Sequence, residues 1–551
     1  PRFPIGVKDE TFPYAQQYCD DYKYARGAPL SLSVDDTKLF PALRPLDDGV
    51  NQKWFIVGTT GEHFEVLKPQ GMHEAIDKLE STAELATKLR LWVLQIPLPG
   101  VPPLVLAIPP LPAKVKGPQL ADWQIQLMEG LISRGFRITS SGGDGASVER
   151  DCQRRTASAS KLKEFRIKHP DPGYPDIVVQ LWDLDGNLWV VIQDAKHGRK
   201  TFQHNVFSGA RALILGNFVV FYRLIHTLGT KPNSPLYRRD FINSDRMDDP
   251  SALRFFSADF LAQASEEPEE NLGLVVYLLV FGDFIDAWQS RTLSHHERAK
   301  IVIRTHLFLD TWRKFLAKSG YSEARYFISK EAFDIAQILI NGLLGLIVIH
   351  HDHLGDNPCP LLPWFNASEP NEHCFSGLQD ISPDMTMQQA ILGVPKLRDK
   401  LTSAVRIQKK QTDYKKQASG YCHTYYSSEN IDYALLSTYP SDVELSAAYE
   451  GATQENDALW AMLGVHPDRI NGATLPGVLP PPPPDPAFEH LYQREDGDGE
   501  PEAPERSDAE ELQQMIDNVG SMATLSHAAD EQLDACVMAS VALSMDELAK
   551  M

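Results

Sequence analysis

Four acidic positions in this chain stand where chemistry is done. Asp144 lies in the turn Gly143-Asp144-Gly145, just after a short strand-like segment at 136–140. Asp194 closes the run Leu188-Trp189-Val190-Val191-Ile192-Gln193, fifty residues later. Asp35, with its neighbour Asp36, ends Leu32-Ser33-Val34, and Glu372 begins Glu372-His373-Cys374-Phe375-Ser376. An acid where a buried strand ends sits at the rim of a sheet, where side chains can converge on metal and substrate. Carboxylates are natural ligands of Mg2+ and Mn2+. Two such ions about 3.5–4 Å apart activate an oxygen nucleophile and stabilise a leaving oxyanion in phosphoryl transfer. With 74 acidic residues, spacing alone would produce some triple. Asp35, Asp144 and Glu372 are the expected metal ligands, and strand context supports the first two. The rival reading makes Asp144 a turn or N-cap aspartate and Glu372 an ordinary acid on an amphipathic helix.

To position these acids the chain needs a sheet. Strand-like segments rich in β-branched and aromatic residues occur at 29–39, 53–66 and 89–96. The proline-rich run 97–118 is expected as an extended loop. An amphipathic helix over 122–134 follows, carrying Trp123, Ile125, Leu127, Met128, Leu131 and Ile132 at helical spacing. Residues 150–169 are expected as a basic linker, and 177–182 and 188–193 as strands around an Asp185-Gly186-Asn187 turn. The apolar period then changes, predicting helices over 207–228, 252–264, 272–289, 294–316 and 330–350. Further helices are expected at 369–380 and 387–400. His350-His351-Asp352-His353 reads as a helix end, where imidazoles suit the dipole.

At 551 residues the chain can bury a large core. Its net charge of −21 argues against a polyanionic partner only until its distribution is counted. From Asp485 onward 17 acidic residues face 3 basic ones, leaving the body mildly acidic with basic clusters at 150–168, 196–200 and 396–416. Such clusters neutralise phosphates or form solvated helix faces. Six cysteines without a C-x-x-C pair fit a reducing compartment. No signal peptide is read after Pro1, and the longest apolar stretches, 272–281 and 338–349, fall short of a membrane span. Five consecutive prolines within 476–486 suggest a stiff linker, the acidic stretch 495–511 a disordered tail, and 530–551 a short helix.

The strand–strand–strand–helix–strand–strand order resembles an RNase H-like fold of the DDE superfamily. Four motifs are more narrowly similar to P-element-type, THAP-domain-related transposases. They are Gly143-Asp144-Gly145, then Asp194-Ala195-Lys196-His197-Gly198-Arg199-Lys200 with Asn205, then Phe284-Ile285-Asp286-Ala287-Trp288-Gln289-Ser290-Arg291, and Glu372-His373-Cys374-Phe375-Ser376. The resemblance covers residues 31–400. It implies an α/β class with a mixed-sheet core interrupted by a large all-helical insertion and followed by a disordered acidic tail. The implied divisions are an irregular segment 1–28, core 29–206, helical insertion 207–355, final core helices 356–416, linker 417–485 and tail 486–551.

On that resemblance Asp35, Asp144 and Glu372 form the catalytic, metal-binding triad for two Mg2+ or Mn2+ ions, with Asp36, Asp194 and His197 as accessories. Lys196, Arg199, Lys200, Arg398, Lys400, Arg406, Lys409 and Lys410 are the expected DNA contacts. The implied activity is DNA transposition by strand cleavage and transfer in the nucleus or cytoplasm, either retained or lost in a relic. DNA is the expected partner and a membrane is not. A homo-oligomer and a protein partner for the acidic tail stay open. The chain departs from the family in lacking Cys/His zinc spacing and a G-x-x-x-x-G-K phosphate loop. The rivals are a catalytically silent DNA- or chromatin-binding protein on the same fold, and an unrelated α/β scaffold.

Overall fold

The computed structural model describes residues 7–9, 11–49, 53–61, 63–68, 71–242, 248–352, 354, 359–408 and 431–466. The expectations placed on the Arg406 side chain, Lys409, Lys410, the proline run and the acidic tail lie outside these residues.

The protein is a mixed α/β chain. Its strands begin with β1 (Pro29–Lys38), β2 (Arg44–Asp48), β3 (Lys53–Val57), β4 (Phe64–Val66), β5 (Lys88–Gln95), β6 (Leu104–Ala107) and β7 (Pro110–Leu111). They continue with β8 (Arg137–Gly143), β9 (Lys161–Ile167), β10 (Ile177–Leu184), β11 (Asn187–Gln193), β12 (Leu213–Leu215) and β13 (Phe218–Val220). The main sheet runs β6-β5-β1-β8-β11-β10-β9, with β7 also on β5. β1 is antiparallel to β5 and parallel to β8, and β8 is parallel to β11. The rest of the sheet is antiparallel. Along β1 the residues alternate by face. Leu30, Leu32 and Val34 enter a core with Trp92, Leu94, Leu127 and Met128, so Ser31, Ser33 and Asp35 point to the opposite side.

Helix α1 (Thr11–Asp21) precedes this sheet, and α2 (Met72–Thr82) accompanies the separate three-stranded sheet β2-β3-β4. α3 (Gly117–Ile132) leads into β8, α4 (Ser147–Ala159) follows it, and α5 (Ala195–Phe207) follows β11. Next come α6 (Tyr222–Gly229), α7 (Arg238–Phe241), α8 (Asp249–Phe255), α9 (Ala258–Ala264), α10 (Pro268–Gln289), α11 (His295–Ser319), α12 (Glu323–Tyr326) and α13 (Lys330–Asp352). α14 (Glu369–Ile381) and α15 (Met387–Gln408) return to the first half of the sheet through a core shared with Leu89, Leu91 and Val93.

The helical block does not keep a core to itself. One cluster joins Val179, Leu181, Val190 and Ile192 of the sheet to α10, α11 and α13. α13 lies so near β11 that a Cβ on Gly345 would stand 2.5 Å from Val190 Cγ1. Both α10 and α13 are long and apolar enough to cross a membrane, exceeding the expected apolar stretches, yet 72% of each apolar window is buried within the fold.

Several expected elements differ. The segment 53–66 forms β3 and β4, paired locally outside the main sheet. The third strand next to β1 and β5 is β6, inside the proline-rich run. Prolines 102, 103, 109 and 110 flank it, and β6 sits at the end of the strand order, where missing amide donors cost no ladder bond. The basic linker is α4 followed by β9, and 207–228 contains the β12–β13 hairpin before α6. Within 417–485 lies a helix, Asp442–Met462, started by a Ser441/Glu444 capping box. It buries Tyr449 and Trp460 in the helical core.

Candidate active site

Strand register brings the first two acids together. β1 and β8 pair Ser31 with Ser140, Leu32 with Ser141 and Ser33 with Gly142. Two more residues along each parallel strand reach Asp35 and Asp144, on chains about 4.8 Å apart. β11 extends the same edge, with Gln193 opposite Gly143 and the Asp194 amide donating to the Gly143 carbonyl at 3.3 Å.

α14 approaches on the face that carries Asp35. Ser33 Oγ, two residues earlier on that face, donates to Asn371 Oδ1 at 2.5 Å, and Asn371 Nδ2 donates to the Leu91 carbonyl at 2.9 Å. Glu372 is the next residue, in the first turn of α14, and its side chain is exposed. The Gly142–Gly145 turn is packed from several sides. A Cβ on Gly143 would lie 2.8 Å from Glu149 Cγ, and one on Gly145 would lie 3.1 Å from His197 Cδ2.

The electrostatics tie these acids together. Burial raises the Asp35 carboxyl well above its usual range, and the charges of Asp144, Asp36 and Glu372 raise it further, against the Asp36 amide hydrogen bond. Asp144 is also raised by burial. The Ala146 amide, donating to Oδ1 at 3.1 Å, opposes this, as do His197 and Arg90, while Asp36 adds to it. Asp144 therefore makes the turn contact of the bland reading while also facing the acidic cluster. Glu372 keeps one side open to solvent, and the partial loss of hydration on the other pushes it up to about 7, with Asp194 and Glu369 adding and Lys200 opposing.

Two site residues escaped sequence reasoning. Arg90 lies opposite Asp36 in the β1–β5 pairing and is 2% exposed. Its Nε donates to Asp36 Oδ1 at 2.7 Å and its Nη2 to Glu149 Oε2 at 2.8 Å. The signal was an arginine inside the apolar run Leu89-Arg90-Leu91-Trp92-Val93. Burial lifts Glu149 to about 7 even with Arg90 beside it.

The accessory and basic residues divide. Asp194 caps α5, accepting from the Lys196 and His197 amides through Oδ1 and from Ser368 Oγ through Oδ2 at 3.1 Å. Lys196 and Lys200, expected on DNA, are buried instead. Lys196 pairs with Glu369 at 2.8 Å and Lys200 with Asp249 at 3.5 Å. Each of these ammonium groups thus has a carboxylate partner inside the fold, Glu369 buried and Asp249 part-exposed. Arg199 is held among Asp249, Asp194, Asp286 and Glu369, with burial lowering its pKa. Arg398 and Lys400 lie on α15 in exposed pairs with Asp21 and Asp380.

Among the described residues, no three His, Cys, Asp or Glu side chains gather into a closed metal-binding group. The chemistry of the donor set still suits a hard cation. Arg90 pairs with Asp36 and Glu149 and its charge reaches Asp144, which His197 also steadies, whereas the charges bearing on Asp35 are those of Asp144, Asp36 and Glu372.

Among solved structures the chain is similar to the Drosophila P element transposase strand transfer complex, at 11% identity and a TM-score of 0.49, over 73% of this chain and 82% of that one. No family model and no curated protein matches the sequence.

Proposed function

We propose that this is a transposase-like protein that cleaves and joins DNA strands, using two Mg2+ or Mn2+ ions on an RNase H-like core. The observation that carries the reading is the parallel β1–β8 register, in which Ser33 and Gly142 stand opposite each other two residues before Asp35 and Asp144. Further support comes from the sheet, in which β1, β5 and β6 are antiparallel neighbours and β8 and β11 run parallel to β1. In that arrangement acids on the first strand, after the fourth, and on a later helix are the ones an RNase H-like nuclease uses.

Asp35 and Asp144 would hold the cations, with Glu372 the third ligand from α14. When bound, the ions activate the oxygen nucleophile and stabilise the leaving oxyanion. The chain's own part is to hold Asp35 within β1, Asp144 just after β8 and Glu372 in the first turn of α14. The His197 ring, packed on Gly145, steadies the ionised form of Asp144. Water, and then a DNA 3′-OH, would be the nucleophiles. The partner is DNA, and the compartment nuclear or cytoplasmic.

The test is strand cleavage of duplex DNA by the full chain with Mn2+, compared with Asp144→Asn, which keeps an acceptor for the Ala146 amide. The variant should cleave about 100-fold more slowly or worse, the scale on which losing one charge-stabilising group slows an enzyme. Equal rates in both proteins would sink the reading. A second reading, a catalytically silent DNA-binding protein on the same scaffold, is favoured where no closed three-ligand group forms among the described residues. Salt-dependent DNA binding by a wild-type chain that never cleaves would select it.

A further inference from the structure

The proposed metal site uses Asp35 and Asp144 but leaves unexplained why a guanidinium is buried beside them. Arg90 reaches from β5 to two carboxylates that come from different elements. Asp36, on β1, takes Nε at 2.7 Å and Nη2 at 3.3 Å, and Glu149, on α4, takes Nη2 at 2.8 Å. Each contact bears on a ligand. Asp36 adjoins Asp35 in the chain, and consecutive strand residues face opposite sides, so Arg90 holds Asp36 on the face away from Asp35. Glu149 is pressed beneath Gly143, whose Cβ would stand 2.8 Å from its Cγ, and Gly143 is bonded directly to Asp144. One planar fork thus fixes the residue after the first ligand and the support under the second. Lysine offers only a point charge and cannot span both partners in this way.

Resting on the proposed metal site, we infer that Arg90 is a positioning residue, clamping Asp36 and Glu149 so that Asp35 and Asp144 keep the separation a divalent cation needs. Removing it releases both ends of the clamp together.

The test is Mn2+ binding to the full chain, followed by electron paramagnetic resonance of the free ion without DNA. Arg90→Lys should weaken binding severalfold. Arg90→Met leaves two buried carboxylates without their partner, so it is paired with the triple variant Arg90→Met, Asp36→Asn, Glu149→Gln, which removes all three charges at nearly constant volume. With native-like circular dichroism, the triple variant should bind Mn2+ about 10–100-fold more weakly, as when outer partners of metal ligands are lost. A folded triple variant that binds as tightly as wild type overturns the positioning role alone. A wild-type chain that takes up no Mn2+ overturns the metal site, and the positioning role with it.

Discussion

Two charged clusters meet near the ends of β8 and β11, and they are balanced differently. In the first, Arg90 pairs with Asp36 and Glu149, while the carboxyls of Asp35 and Asp144 are raised first by burial and then by neighbouring acids. In the second, Lys196, Arg199 and Lys200 stand among Asp194, Glu369, Asp249 and Asp286. The second is arranged as ion pairs that fasten α5 to α14 and α8, so its charge serves to orient helices.

The sharpest way to break the comparison is to unbalance the second cluster. Lys196 and Glu369 are 7% and 1% exposed at their side chains. Lys196→Met therefore leaves buried Glu369 with only the longer contact to His373 at 3.6 Å and the nearby Arg199, and should cost about 3–5 kcal/mol, the usual penalty for removing one partner of a buried pair. Urea denaturation measures it. A cost below about 1 kcal/mol would mean that the pair is hydrated and that Lys196 is available to DNA after all.

The pH dependence separates the clusters from the rest of the core. Glu149 and Glu372 rise from 4.5 to about 7 on folding. The native state then binds more protons than the unfolded chain between these values, so stability falls as pH rises from 4.5 through about 7. His295 and His350 behave oppositely. Burial lowers them from 6.5 to about 3 and about 4, so their contribution is complete above 6.5 and lost as pH falls below it. Glu372→Gln should remove about one proton from the uptake linked to folding in the first window and leave the acid limb unchanged. Denaturation midpoints from pH 4 to 8 read both, and an unchanged alkaline slope in the variant would place the excess charge elsewhere.

Neutralising the first cluster should do the reverse of neutralising the second. Asp144→Asn removes one of the crowded carboxylates while keeping an acceptor for the Ala146 amide. It should raise stability by about 0.5–2 kcal/mol, the gain common when a site residue tuned for function is replaced. A thermal melt without divalent ions decides it. Destabilisation would show that Asp144 is a turn residue and no more.

Some members of these clusters could be picked out in the sequence and their partners could not, for a physical reason. An acid at the end of an apolar strand is visible as a change in pattern, and Asp35, Asp144 and Asp194 all announce themselves that way. The basic run after Asp194 gives no sign that α14 and α8 will close over it, because burial of Lys196 and Lys200 is decided by Glu369 and Asp249, far away in the chain. Arg90 was visible as an arginine amid apolar neighbours, but its two partners come from β1 and α4. β6 was hidden because edge strands tolerate the prolines that normally mark loops. The helix Asp442–Met462 is different: its Ser441 and Glu444 start signal stands in the sequence, and only the weak apolar stripe behind it concealed the element.

The smallest effect tests where DNA would run. Arg398 and Lys400 keep exposed pairs with Asp21 and Asp380, so losing them together should change stability by less than about 1 kcal/mol. Their charges remain within reach of solvent, unlike those of Lys196 and Lys200. If α15 follows the DNA backbone, the double variant Arg398→Met, Lys400→Met should flatten the logarithmic salt dependence of binding by about 2 through the loss of two phosphate contacts. An unchanged slope would take the DNA path off α15, leaving the exposed basic residues of α4 and β9, Arg154, Arg155, Lys161 and Lys163, to carry it. The contrast with Lys196→Met is then complete: a buried base whose loss is read in stability, against exposed bases whose loss is read only in the salt dependence of binding.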